Sequence, residues 1–114
     1  MKRILHLDDD EEIITILEYV LGKSYTLRSI MEPDLAMDEL QRFQPDLVLT
    51  DNFEDFLKPD SGFLRFARSK HVPVVLFSAA PDIQERAQQL GINGFIEKPA
   101  AINHIREYVA KMLQ

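Results

Sequence analysis

The chain has 114 residues, 46% of them hydrophobic, no cysteine, and nineteen acidic against thirteen basic side chains for a net charge of −6. That length suits one compact domain, read here as residues 1–114, and that apolar fraction supplies one core. Disulfides, thiolate metal sites and thiol nucleophiles are excluded, no apolar run approaches the roughly 20 residues of a membrane span, and the acidic balance argues against direct nucleic-acid binding.

The N-terminus is charged, then apolar over Ile4-Leu5-His6-Leu7, then acidic. It is too short for a secretory signal and lacks a cleavage site, so it reads as a first strand of a cytoplasmic protein. Ile13, Ile16, Leu17 and Val20 recur at helical spacing, and Gly22 ends that helix. Tyr25 to Ile30 alternates as a half-exposed edge strand does. Pro33 is expected to open a second helix with Leu35, Ala36, Leu40 and Phe43 on one face. Leu47-Val48-Leu49 is a buried strand, and a third helix with Leu64, Ala67 and Arg68 begins near Ser61. Val74-Val75-Leu76-Phe77 is another buried strand. Pro81 is expected to start a fourth helix carrying Ile83, Ala87 and Leu90, followed by Gly91. Phe95-Ile96 is a short fifth strand, and Ile102, Ile105, Val109 and Met112 mark the last helix.

Strands alternating with helices predict an α/β fold of flavodoxin-like type: a three-layer (βα)5 sandwich around a parallel five-stranded sheet of order 2-1-3-4-5. Parallel strands covered on both faces read as continuous apolar runs, as the first, third and fourth do. Ligands of such sheets bind beyond the carboxyl ends of the strands, at the switch point between strands one and three.

The polar groups fall at those ends. Strand one runs into Asp8-Asp9-Asp10, strand three into Thr50-Asp51, strand four into Ser78, and strand five into Glu97-Lys98-Pro99. Neighbouring strands are about 4.8 Å apart, so the carboxylates of strands one and three converge. Carboxylates so placed stay ionised together when a cation joins them, and an oxygen-only set suits Mg²⁺. Lys98 adds a mobile positive charge and Ser78 a hydrogen-bond donor, both suited to phosphoryl oxygens. Asp51 is then a nucleophile that can form an acyl phosphate. Asp10, Glu11 and Glu12 are read as acids at the positive end of the first helix. His6 is read as a satisfied core histidine, and His71 and His104 as surface residues.

These pieces resemble the receiver domain of two-component response regulators. The resemblance rests on Ile4-Leu5-His6-Leu7-Asp8-Asp9-Asp10, Pro45-Asp46-Leu47-Val48-Leu49-Thr50-Asp51, Val74-Val75-Leu76-Phe77-Ser78-Ala79 and Gly94-Phe95-Ile96-Glu97-Lys98-Pro99. It implies that Asp51 accepts a phosphoryl group from a sensor histidine kinase or a phosphotransfer protein. It implies Mg²⁺ at Asp8, Asp9 and Asp51, with the backbone carbonyl of Phe53 as a further ligand. Ser78 and Lys98 would hold phosphoryl oxygens, Ser78 and Phe95 would act as the switch, and the Lys98-Pro99 bond would be cis. A downstream protein target would read the switch, and any homodimer would form through the last two helices. The implied chemistry is self-phosphorylation and slow self-dephosphorylation, not turnover of a substrate.

One segment departs from the family pattern. The connection from Asp51 to Gly62 is longer and lacks the usual Met-Pro pair. Glu54, Asp55 or Asp60 is placed to supply a carboxylate there, Phe53, Phe56 and Leu57 to form a lid or a partner contact, and a tolerated surface insertion accounts for the length equally well. A large apolar side chain at Phe53 is expected to slow loss of the phosphoryl group. The competing functions are a receiver-like interaction module that is never phosphorylated and a small phosphatase. Against the first stands the complete set of Asp8, Asp9, Asp51, Ser78 and Lys98. Against the second stands Phe53, where haloacid-dehalogenase-type phosphatases carry another aspartate.

Overall fold

Alternating burial within each strand explains the architecture. In the first strand, β1 (Arg3–Leu7), Leu5 and Leu7 point to one face of the sheet and Ile4 and His6 to the other, and all four are buried. A strand apolar on both sides needs a cover on both sides. The computed structural model, which describes residues 1–114, supplies it. After β1 come α1 (Glu11–Leu21), β2 (Thr26–Ile30), a 3₁₀ turn (Pro33–Leu35), α2 (Ala36–Phe43) and β3 (Leu47–Thr50). Then follow α3 (Gly62–Ser69), β4 (Val74–Ser78), α4 (Ile83–Leu90), β5 (Gly94–Glu97) and α5 (Ile102–Met112).

The five strands form one parallel sheet of order β2-β1-β3-β4-β5, as the alternation of strands and helices predicts. One core layer joins Leu5, Leu7, Val48 and Leu76 to α2, α3 and α4 through Leu40, Leu64 and Leu90. The other joins Ile4, Leu47, Leu49, Val75, Phe77 and Ile96 to α1 and α5 through Leu17, Leu21, Ile105 and Val109. The edge strands are the less buried ones.

Several local expectations are corrected. Pro33 begins a 3₁₀ turn, and the α-helix starts only at Ala36; Leu35 is left exposed rather than joining the apolar face of Ala36 and Leu40. The fixed proline φ suits either helix type, so Pro33 marks the start without choosing between them. The fourth helix begins at Ile83, two residues beyond Pro81. Ile16 and Ile102, assigned to apolar helix faces, are exposed. Each helix meets the sheet along one stripe, which Leu17 and Ile105 already fill. Gly22 does end α1, but with an ordinary right-handed φ of −66°. Its lack of a side chain matters because a Cβ there would strike the Glu18 carbonyl oxygen.

Candidate functional site

The first and third strands place the acids. Leu7 pairs with Thr50 in the β1–β3 ladder. The ladder runs one step further, with the Asp51 N–H donating to the Leu7 carbonyl at 2.8 Å. Asp8 and Asp51 therefore leave adjacent strands side by side, at the switch point between β2-β1 and β3-β4-β5. Carboxylate oxygens of Asp8, Asp9 and Asp51 all lie within 4.8 Å of one another. Asp8 is fully buried, Asp51 half-buried and Asp9 exposed, so the cluster opens to solvent on one side.

Lys98 reaches this cluster from the end of β5. Its Nζ donates to Asp8 Oδ2 at 2.7 Å and stands 3.7 Å from Asp51 Oδ2. Only 12% of the lysine side chain is exposed, so it is not a solvated surface charge. The ammonium also lies 5.2 Å from the Phe77 ring centroid, a cation–π contact. The Lys98–Pro99 peptide is cis.

Asp8 is held from several directions. Its Oδ1 accepts from the Asp10 N–H at 3.0 Å, and His6 Nε2 approaches Oδ2 at 3.5 Å. Burial alone pushes the Asp8 carboxyl up, but His6, Lys98 and the Asp10 N–H together hold it below the ordinary carboxylate value. His6 is thus only half the satisfied core histidine expected. Nδ1 shares a 3.0 Å hydrogen bond with Ser29 Oγ, whereas the buried Nε2 has only the long approach to Asp8. The sequence carries a signal for this: residues two apart on a strand share a face, so His6 and Asp8 must be neighbours.

The other expected residues divide. Ser78 is buried at the end of β4, and its Oγ accepts from the Ala80 N–H at 3.1 Å. It does not cap the following helix, which starts after Asp82. Phe95 is half-buried on β5 and packs against the α2–α4 layer. Asp10 caps α1, accepting from the Glu12 N–H at 2.9 Å, and Glu11 and Glu12 fill its first turn. His71 and His104 are exposed.

The long connection is an ordered turn. The Phe53 N–H donates to the Asp51 carbonyl at 3.0 Å, and the Phe53 carbonyl accepts from Phe56 at 3.0 Å and from Leu57 at 2.8 Å. Both lone pairs of the Phe53 carbonyl are therefore engaged within the loop. Leu57 is fully buried, and Phe56 packs on Phe63 with ring centroids 5.2 Å apart. Glu54 and Asp55 stay out of the acid cluster. With Phe53, Phe56, Pro33 and Asp34 they line a neighbouring groove of about 410 Å³. Two residues absent from the sequence-based site belong here. Asn52 donates its N–H to Asp51 Oδ1 at 2.8 Å, and Arg86 of α4 bonds both Asn52 and the Leu57 carbonyl. Nothing in the local sequence marks Arg86.

Three carboxylates face one ammonium, which leaves negative charge unbalanced and oxygen donors only. That set fits a hard divalent cation, and it is compatible with the metal site of a receiver domain. No helix is long and apolar enough to cross a membrane.

Comparison with known proteins agrees with this geometry. No curated protein matches the chain. Solved structures do. The chemotaxis protein CheY4 of Vibrio cholerae superposes with a TM-score of 0.81 at 18% identity, over 99% of each chain. The N-terminal domain of the nisin resistance regulator NsrR gives 0.78 at 23% identity, over 100% of this chain and 99% of that one. NtrX of Brucella abortus gives 0.80 at 25% identity over 99% of this chain, which spans 26% of that longer protein. The family model of the response regulator receiver domain matches residues 4–110. Strand order, the acids at the switch point and this match agree: the chain belongs to the response regulator receiver domain family, a family of signalling domains rather than enzymes in the usual sense.

Proposed function

We propose that the protein is a phosphoacceptor. Asp51 takes a phosphoryl group from the phosphohistidine of a sensor histidine kinase or phosphotransfer protein, and the altered site is read by a downstream protein. The observation that carries this reading is the meeting of Asp8, Asp9 and Asp51 within 4.8 Å, with the Lys98 ammonium 3.7 Å from Asp51.

In the proposed step an Asp51 oxygen attacks phosphorus, a P–O bond forms, and the P–N bond to the donor imidazole breaks. The imidazole leaves with that electron pair and takes a proton from solvent. Asp51 Oδ1 accepts from the Asn52 N–H, whereas Oδ2, 3.7 Å from the Lys98 ammonium, accepts no backbone N–H and is the proposed attacking oxygen. Charge grows on the transferring oxygens, and Lys98 is placed to turn from Asp8 to meet it. Ser78 is placed to exchange its bond with the Ala80 N–H for one to a phosphoryl oxygen, and Phe95 would follow that movement. Asp8 and Asp9, with Asp51, would hold Mg²⁺, which supplies neutralisation of the carboxylate and phosphoryl charge. The Phe53 carbonyl joins that set only by giving up one of its two loop donors.

The test is incubation with Mg²⁺ and acetyl phosphate, followed by intact mass. The expected result is one added phosphoryl group in wild type and none in Asp51→Ala. Unmodified wild type, in a preparation that also binds no beryllofluoride, would overturn the reading in favour of an interaction module that is never phosphorylated.

A further inference from the structure

We propose that Arg86 is a positioning residue for the acceptor: it clamps the Asn52–Leu57 turn to α4 and so fixes which Asp51 oxygen is free to react. The inference rests on the acceptor reading above and deepens it.

The contacts form one continuous path. Arg86 Nε donates to Asn52 Oδ1 at 2.9 Å, and a terminal guanidinium nitrogen donates to the Leu57 carbonyl at 2.6 Å. These bonds reach 34 and 29 residues back along the chain, so nothing local supplies them. Asn52 in turn donates its backbone N–H to Asp51 Oδ1. The two ends of the turn, Asn52 and Leu57, are thus held by one planar fork, and the end at Asn52 sets the rotation of the acceptor carboxylate.

The chemistry of the clamp is specific. Both acceptors are neutral oxygens half-removed from water, so a charged donor makes bonds stronger than neutral ones. The guanidinium has donors at fixed angles, whereas an ammonium on a flexible stem serves one acceptor well and the second poorly. Arg86 touches neither the acid pair nor Lys98. It acts only through Asn52 and the turn. Without it, Leu57 and Phe56 still anchor the far end in the core, but the Asn52 side-chain amide loses its partner, and the backbone N–H that holds Asp51 Oδ1 is no longer fixed from α4.

The experiment compares wild type, Arg86→Met and Arg86→Lys. Methionine keeps the apolar stem and removes the fork. Two quantities are read: amide exchange of Phe53, Phe56 and Leu57 in the metal-free protein, and the rate of labelling by acetyl phosphate with Mg²⁺. Arg86→Met loses both charged hydrogen bonds, so the loop amides are expected to exchange at least about tenfold faster and labelling to slow by about tenfold, a scale that one such bond already reaches. Arg86→Lys recovers part of both, and protection in β1, β3 and β4 is unchanged. Labelling of Arg86→Met at the wild-type rate overturns the positioning role. So does an equal loss of protection throughout the sheet, which would mean simple destabilisation. Should wild type itself fail to label, the acceptor reading falls, and exchange alone decides the clamp: selective loss at the loop supports it, and a wild-type pattern in Arg86→Met overturns it.

Discussion

Lys98 neutralises Asp8 far more closely than Asp51, at 2.7 Å against 3.7 Å. Asp8 is fully buried, and an unpaired buried carboxylate is costly. Lys98→Met is therefore expected to destabilise the metal-free protein by about 3 kcal/mol, with a large part recovered on adding Mg²⁺; urea unfolding with and without chelator measures both. Asp8, held by His6, Lys98 and the Asp10 N–H, also gives a pH dependence. The folded Asp8 carboxyl is held below its ordinary value, so its ionised form contributes stability that is present above about pH 4 and is lost as pH falls through the lowered folded value. In chelator, the unfolding midpoint of wild type should fall steeply below that pH, and that of Asp8→Asn should fall less.

At the level of elements, the connection from β3 to α3 is the part that departs from the family pattern, and its structure resolves what that departure means. It is no loose insertion, because Leu57 is buried to 0% exposure and Phe56 rests on Phe63. Leu57→Ala should cost about 2–5 kcal/mol, as for a core leucine, measured by chemical denaturation. A surface insertion would lose almost nothing. Phe53 lies half-buried in the same turn and packs against the core layer. On the proposed acceptor reading, with Phe53 two residues beyond Asp51, phosphorylated Phe53→Ala is expected to lose its phosphoryl group faster than wild type, followed by intact mass over time.

Across the whole molecule, three acids are gathered at one end of the sheet of a chain that already carries a net charge of −6. Their mutual repulsion opposes folding, and the single Lys98 ammonium offsets only part of it. Mg²⁺ at one hundred times its Kd should stabilise the protein by about 2.7 kcal/mol, seen as a Tm rise of several degrees in calorimetry. Asp9→Asn should abolish most of that rise while raising the Tm of the metal-free protein, because one repelling charge is gone.

Much of this was legible in the residues themselves. Continuous apolar runs required a sheet covered on both faces, and alternation with helical periods required parallel strands. From those two facts Asp8, Asp9, Asp51, Ser78 and Lys98 fall at one end of the sheet, because each follows the last apolar residue of its strand. Periodicity determines which residues face inward, but it does not show how much of a helix face the sheet covers, so Ile16 and Ile102 were misplaced. Tertiary structure alone decided the remaining points: the pairing of Lys98 with Asp8 before Asp51, the hydrogen bond of His6 Nδ1 to Ser29, the doubly engaged Phe53 carbonyl, and the Arg86 clamp. Each depends on an ångström-scale distance between groups that the fold brings together. Spacing along a chain places a residue on a strand end or a helix turn, but hydrogen bonding selects partners within a few tenths of an ångström.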